Sequence, residues 1–306
     1  MGGSVATPIG RARWPTRPLD ARSSRAYGAA RVVARTMKRW LEHPLTRGLP
    51  LDSPETTSLR RTIIAGKPFL RRLYDEWYAD IAARVPDGDG RVLELGSGAG
   101  FLHERIPGVI RSEIFACPDI AVILDARHLP FRSRSLRAIV MTDVLHHIPD
   151  VRRFFHDAAA AVREGGALVM IEPWVTTWSR FVYTTFHHEP FRPDADDWAF
   201  PAEGPLSSAN GALPWILFER DRGRFDAEFR EWRVEEVSPG MPLRYLLSGG
   251  VSLRSLMPGW TFEAWRGVEH LMQPWMRSVA MFATIVLRRT ANTVTVAPQV
   301  PGVIER

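Results

Sequence analysis

Hydrophobic spacing changes character several times along this chain of 306 residues. Residues 1–25 carry no apolar period and mix Gly, Pro, Arg and Ser, which predicts a flexible arm. From 26 to 41 apolar and basic positions recur at helical spacing, predicting a helix with one basic and one apolar face. Ser53 before Pro54 is a helix-start signal, with Ser53 as cap and the proline in the first turn of a helix running to about residue 65. Phe69, Leu70, Leu73, Trp77 and Ile81 predict a second helix over 68–83. Residues 26–85 are therefore read as a helical lead-in.

The run PDGDG at 86–90 is a breaker, and beyond it short apolar runs alternate with helical segments. Strands are predicted at 91–95, 109–115, 121–124, 138–142 and 167–172. A very short helix is expected at 101–106, and a longer one over 150–163 that stops at Gly165-Gly166. After Glu172 the alternation ceases and 173–230 become rich in Pro, Trp, Phe and His. A strand at 232–237, a helix at 259–276 and a strand at 279–287 complete the series. The pattern implies an α/β fold, a Rossmann-like, mostly parallel seven-stranded sheet with helices on both faces. The sheet domain is placed at 86–290, with 174–230 and 240–276 as insertions capping it and 291–306 as a tail.

Charge modifies this picture at one end. The formal net charge is +6, but residues 1–50 hold ten Lys/Arg against only Asp20 and Glu42. The basic balance thus belongs to the arm, which could meet nucleic acid or anionic lipid or could simply be solvated. Cys117 is the single cysteine, so an internal disulfide is excluded and no thiolate metal cluster can form. No run of about 18 apolar residues occurs, so no spanning helix is expected. A cytoplasmic location is expected, with peripheral membrane contact through 26–41 or 242–258 left open.

The most informative stretch is VLELGSGAG at 92–100, a strand entering a Gly-rich turn. Glycines admit positive φ and close backbone approach. Dinucleotide enzymes use GxGxxG to seat a pyrophosphate. Here the third glycine comes one residue earlier, and Glu94 stands two residues before the first. An acid there disfavours a phosphate and suits a cationic ligand. Further along come VILDARHLPF at 122–131, SLRAIVMTDVLHHI at 135–148 and EGGALVMIEP at 164–173. Together, in this order, the four segments resemble the motifs of class I S-adenosylmethionine-dependent methyltransferases of the type 11 kind. The resemblance spans about residues 90–173.

It implies S-adenosyl-L-methionine as cofactor and assigns expected roles. Gly96, Gly98 and Gly100, with Ser97, would underlie the methionine and ribose parts. Glu94 would orient the ammonium. Glu113, ending the second strand, would accept from both ribose hydroxyls. Asp125, beside Ala126, would accept from the adenine amino group. Thr142 and Asp143 would face the sulfonium and the acceptor. Asp143, His146, His147 and Glu172 are the candidate catalytic groups, the histidines because imidazole titrates near neutrality.

Trp174, Trp178, Phe181, Tyr183 and Phe186 are expected to form an apolar cover, which suits a lipid-like or other small-molecule acceptor methylated on O or N. Two alternatives stand beside this, a non-catalytic interaction module of the same fold and an RNA methyltransferase suggested by the basic arm. Nucleic acid is not the expected partner, because no RNA-binding module is recognisable. No metal is expected. His187-His188-Glu189 offers three donors in a row, but adjacent histidines diverge on most backbones and the sequence shows no matched distant ligand.

Overall fold

Six strands running one way and one, β7, running against them make one sheet in the order β3-β2-β1-β4-β5-β7-β6. They are β1 (Arg91–Leu95), β2 (Ile110–Glu113), β3 (Val122–Ile123), β4 (Leu136–Thr142), β5 (Val162–Pro173), β6 (Trp232–Gly240) and β7 (Phe282–Arg289). β7 runs antiparallel to both β5 and β6. This computed structural model describes residues 43–46, 50, 52–98, 100–187 and 189–291. The predicted arm, the helix expected over 26–41 and residues 292–306 of the tail lie outside the described residues.

The strand centres are apolar on both faces, as a covered parallel sheet requires. Successive residues point to opposite sides. Leu93, Ile139, Met141, Leu168 and Met170 pack against α3 (Val151–Ala161) and the helical stretch ending in α5 (Arg222–Glu228). Val92, Ala138, Val140, Val169 and Ile171 pack on the other face, against α2 (Pro68–Arg84). Much of the tryptophan goes into this core. Trp198 and Trp232 are buried, their indole N–H groups donating to Asp221 and to the Phe155 carbonyl.

Local signals in the lead-in hold, each helix ending one residue later than expected. The Ser53 hydroxyl caps α1 (Pro54–Gly66) by accepting from the Thr56 N–H at 3.2 Å. Phe69, Leu70, Leu73, Trp77 and Ile81 of α2 are all buried. Strand lengths differ from expectation, with β2 and β3 shorter and β4 longer. The helix expected at 101–106 is only a 3₁₀ turn, Leu102–Glu104. Pro107-Gly108 follows too soon for a helix to propagate.

The glycine pair at 165–166 does not end α3, which stops at Ala161. Pairing of β4 with β5 jumps from Leu136–Val162 to Ala138–Ala167, so 163–166 bulge out of the ladder, with Gly165 at φ +74°. The helix expected over 259–276 is broken. α7 (Phe262–Leu271) ends before Pro274, whose ring sits in the first turn of a new 3₁₀ segment.

Two insertions follow the fifth and sixth strands. The first begins with α4 (Thr177–Phe186), and the second holds α6 (Arg244–Ser248) and α7. The segment 242–258 is no free lipid-facing stretch. The Arg244 guanidinium is buried between Glu76 and Glu269, and the Lys67 ammonium donates to the carbonyls of Ser248, Gly250 and Leu253. No helix among the described residues is long and apolar enough to cross a membrane.

Candidate cofactor and acceptor cavity

The strand order reverses between β1 and β4, and ligands of open α/β sheets bind at the carboxyl ends beside such a switch. There a cavity of about 330 Å³ opens. Its wall includes Glu94, Gly96 and Gly100 from the β1 turn and Glu113 from β2. Asp125 and Ala126 follow β3, and Thr142, Asp143 and His147 follow β4. Nine residues singled out in the sequence thus meet in one space.

The turn after β1 is held by backbone approach that only glycine allows. Gly96 has φ +66°, and a Cβ there would come within 2.5 Å of Val144 Cγ2. A Cβ on Gly98 would collide with Thr57 of α1, and one on Gly100 with the Tyr78 hydroxyl of α2. Ser97 does not face the cavity. Its hydroxyl donates to the Glu94 carbonyl at 3.2 Å and accepts from the Ser112 N–H, stitching β1 to β2.

Glu94 is 4% exposed, and its Oε2 is buried without a hydrogen-bond partner. Burial pushes its carboxyl up to about 7. Such an oxygen is costly unless a donor reaches it, and a cationic donor repays most. Glu113 Oε2 accepts from Gly98 N–H at 3.0 Å and Oε1 from Ile114 N–H at 2.8 Å, leaving lone pairs for further donors. Burial raises the Glu113 carboxyl as well. Asp125 is engaged with Arg127, whose guanidinium bridges both carboxylate oxygens and holds the acid below its usual range. A contact to an adenine amino group would share that carboxylate with Arg127.

At the other end, β4 leaves the sheet through Asp143, which takes a left-handed φ of +63° that aspartate tolerates. Burial raises its carboxyl to about 6, against the pull of His146. The 3₁₀ turn Leu145–His147 is clamped from behind by Glu172, which is fully buried. Glu172 Oε1 accepts from the Val144 and Leu145 N–H groups, and Oε2 pairs with His146 Nδ1 at 2.8 Å. Neither Glu172 nor His146 lines the cavity. Glu172 stands one layer behind it as a brace.

His147 does line it, its Nδ1 lying 3.1 Å from the Ser208 carbonyl. A carbonyl only accepts, so Nδ1 carries the proton and Nε2 of the neutral ring holds a lone pair. Burial, and then the charge on His146, push His147 down to about 3. For His146 burial is outweighed by the carboxylates of Glu172 and Glu189, which raise it well above imidazole's ordinary value.

The sequence showed no distant ligand to match the trio 187–189, but the structure brings His146 and His147 beside its glutamate. Glu189, 42 positions beyond His147, places Oε2 3.5 Å from His146 Nε2 and Oε1 3.9 Å from His147 Nε2. The three residues offer one donor atom each within 4.8 Å of one another. In the trio 187–189, His187 also lies beside Glu189, and His188 is outside the described residues.

The expected aromatic cover is not the wall of this cavity. Trp174 and Tyr183 are buried in the core, and Phe181 and Phe186 are about half exposed. The cover comes instead from Ala202–Leu206, Tyr245 and Val251. Sequence reasoning also missed Thr57, Arg60, Tyr74 and Tyr78, which line the cavity from α1 and α2. Tyr74 and Tyr78 fall among the helical positions of the lead-in, but nothing in their spacing set them apart as cavity residues.

A Rossmann-like sheet whose first turn presents carboxylates instead of phosphate donors defines a class I S-adenosylmethionine-dependent methyltransferase. The family model described as a methyltransferase domain matches residues 67–234, more than half of the chain, and the chain belongs to that family. No curated protein sequence matches it. Three similar solved structures all have low identity. The geranyl diphosphate C-methyltransferase of Streptomyces coelicolor, in complex with magnesium, geranyl diphosphate and S-adenosylhomocysteine, is 13% identical at a TM-score of 0.44. That match covers 82% of this chain and 89% of the other. A Haloferax volcanii methyltransferase in complex with the Trm112 activator is 12% identical at 0.45, covering 79% and 98%. An S-adenosylmethionine-dependent methyltransferase from Mesorhizobium loti is 17% identical at 0.37, covering 69% and 96%.

S-Adenosylmethionine is the cofactor, and the residues present fit it. The buried, unpartnered Glu94 oxygen suits an ammonium donor, and the close-packed glycine turn brings backbone to the cavity edge.

Proposed function

We propose that the enzyme methylates an oxygen or nitrogen of a small, polar acceptor bound at the Asp143–His147 end of the cavity. Glu94 holds the cofactor's ammonium, Glu113 its ribose hydroxyls, and Asp125 with Ala126 the adenine edge. Thr142 and Asp143 stand between the cofactor and acceptor halves. S-Adenosylmethionine supplies an electrophilic methyl on a good leaving group, so the protein's task is to position the acceptor and exclude water.

One observation carries the choice of acceptor atom. The Ser208 carbonyl fixes the His147 proton on Nδ1, so Nε2 meets the cavity as a proton acceptor beside the Asp143 carboxylate. Those groups serve an acceptor with an O–H or N–H proton to lose. His146 and Glu172 act through them by holding the turn in place. The Glu203 carboxylate in the cover, together with the polar Asp143–His147 end, supports a compact polar acceptor over a lipid-like one.

The test is transfer of a labelled methyl group to extracts separated into small-molecule, lipid and RNA fractions, with mass spectrometry on the product. Label on O or N of a small molecule is expected. Label in the lipid or RNA fraction would overturn the acceptor class, and failure of the folded protein to bind S-adenosylmethionine in calorimetry would overturn the whole reading.

A further inference from the structure

We propose that His146, His147 and Glu189 form a binding site for a divalent transition metal of the zinc type, at the acceptor end of the cavity. The donors come from two distant segments, the turn after β4 and the first insertion. The backbone turn 145–147 brings the two imidazoles side by side, ring centroids 4.2 Å apart and planes tilted by 41°. Their Nε2 atoms face the same carboxylate, at 3.5 and 3.9 Å from its two oxygens. Donor atoms of a tetrahedral zinc site with ordinary bond lengths lie about 3.3 Å apart, so small side-chain adjustments close the site.

Two independent observations point to a ligand there. His146 Nε2 is a fully buried nitrogen without a hydrogen-bond partner, aimed at the cluster. In addition, both imidazoles are oriented from behind through Nδ1, His146 by the Glu172 carboxylate at 2.8 Å and His147 by the Ser208 carbonyl at 3.1 Å. Metal-bound histidines are held in this way, the outer partner fixing the tautomer and leaving the other nitrogen to ligate. Charge agrees. Asp143, Glu172 and Glu189 all lie within 3.9 Å of His146, with Asp143 Oδ1 3.9 Å from its Nε2 and available as a fourth donor. Three carboxylates around one imidazole favour a dication. Two imidazole nitrogens select zinc, cobalt or ferrous iron over magnesium, which prefers oxygen.

With metal bound, His147 Nε2 is a ligand and no longer the proton acceptor of the proposed function, and the inference rests on that reading only for its consequence, that the metal would orient and acidify the acceptor oxygen beside the methyl donor in its place. The metal site itself stands on the histidine geometry. Full-length protein stripped with chelator is titrated with Co²⁺ and followed by its visible absorption, then loaded with Zn²⁺, dialysed and assayed for metal content. One saturable equivalent is expected. His146→Gln, His147→Gln and Glu189→Gln should each abolish it, and Glu172→Gln should weaken it about ten- to a hundredfold. Should a variant not fold, diethyl pyrocarbonate mapping of the wild type reads the same residues, with zinc expected to protect His147. Absence of a saturable equivalent, or metal binding that survives the substitutions and leaves His147 unprotected, overturns the site. S-Adenosylmethionine binding, measured on the stripped protein, separates this result from failure of the cofactor assignment.

Discussion

The carboxylate of Glu113 accepts a hydrogen bond at 3.0 Å from the backbone N–H of Gly98, tying the end of the second strand to the glycine turn of the first. A second backbone donor, Ile114 N–H, reaches the other oxygen. Glu113→Ala leaves both buried donors without an acceptor, a loss of about 1–3 kcal/mol. Thermal unfolding should shift down by about 2–4 °C for each of those kcal/mol. Cofactor affinity should fall with it, because the turn loses its anchor and the ribose its acceptor. An unchanged dissociation constant in calorimetry would remove Glu113 from the cofactor site.

If Glu94 holds the cofactor's ammonium as proposed, cofactor binding should depend on pH. In the cofactor-free protein its carboxyl is raised from 4.5 to about 7. Its contribution to stability is therefore present below the unfolded value near 4.5 and lost as pH rises through about 7. Cofactor binding needs the ionised form. Affinity for S-adenosylmethionine should climb, by up to about tenfold per unit, as pH rises towards 7 and level off above it. Glu94→Gln should bind weakly and without this slope. Titrations from pH 5.5 to 8.5 in buffers of different ionisation enthalpy would also detect the proton released on binding.

The contact between Gly100 and Tyr78 lends itself to a double-mutant cycle. Gly100→Ala places a methyl against the Tyr78 hydroxyl and should weaken both folding and cofactor binding. Adding Tyr78→Phe removes the atom in conflict, so the double variant should recover part of the loss. Additive losses would mean that the strain lies elsewhere in the turn.

Stability and cofactor binding should come apart at Arg244. Its guanidinium is buried against Glu269 and also reaches Glu76, while Glu269 accepts from the Leu243 and Arg244 N–H groups. Arg244→Met strands buried carboxylate charge, at a cost of about 3–5 kcal/mol. Urea unfolding should register this loss, with a much smaller change in cofactor affinity.

The cofactor half of the site was legible because its signals are local. A strand of apolar residues, three glycines and an acid within nine positions specify the turn, and β1 falls on the expected residues 91–95. Glu113 and Asp125 end neighbouring strands, so sheet order alone brings them to one edge. The acceptor half was not legible. Glu189 reaches His146 and His147 from an irregular insertion with no period to fix its direction. The aromatic residues after β5 could be core or cover by composition alone, and packing chose the core for Trp174 and Tyr183. The short helix after the glycine turn failed because so few residues separate Gly100 from Pro107.

The side chains of Thr57, Arg60, Tyr74 and Tyr78 belong to two helices that precede the first strand, yet all four face the cofactor cavity. A domain boundary drawn at the breaker of residues 86–90 would keep every strand and still tear out one side of the cavity. If the cavity holds the methyl donor as proposed, binding competence begins upstream of the glycine turn at 92–100, and part of the donor's enclosure is synthesised before the segment that names it.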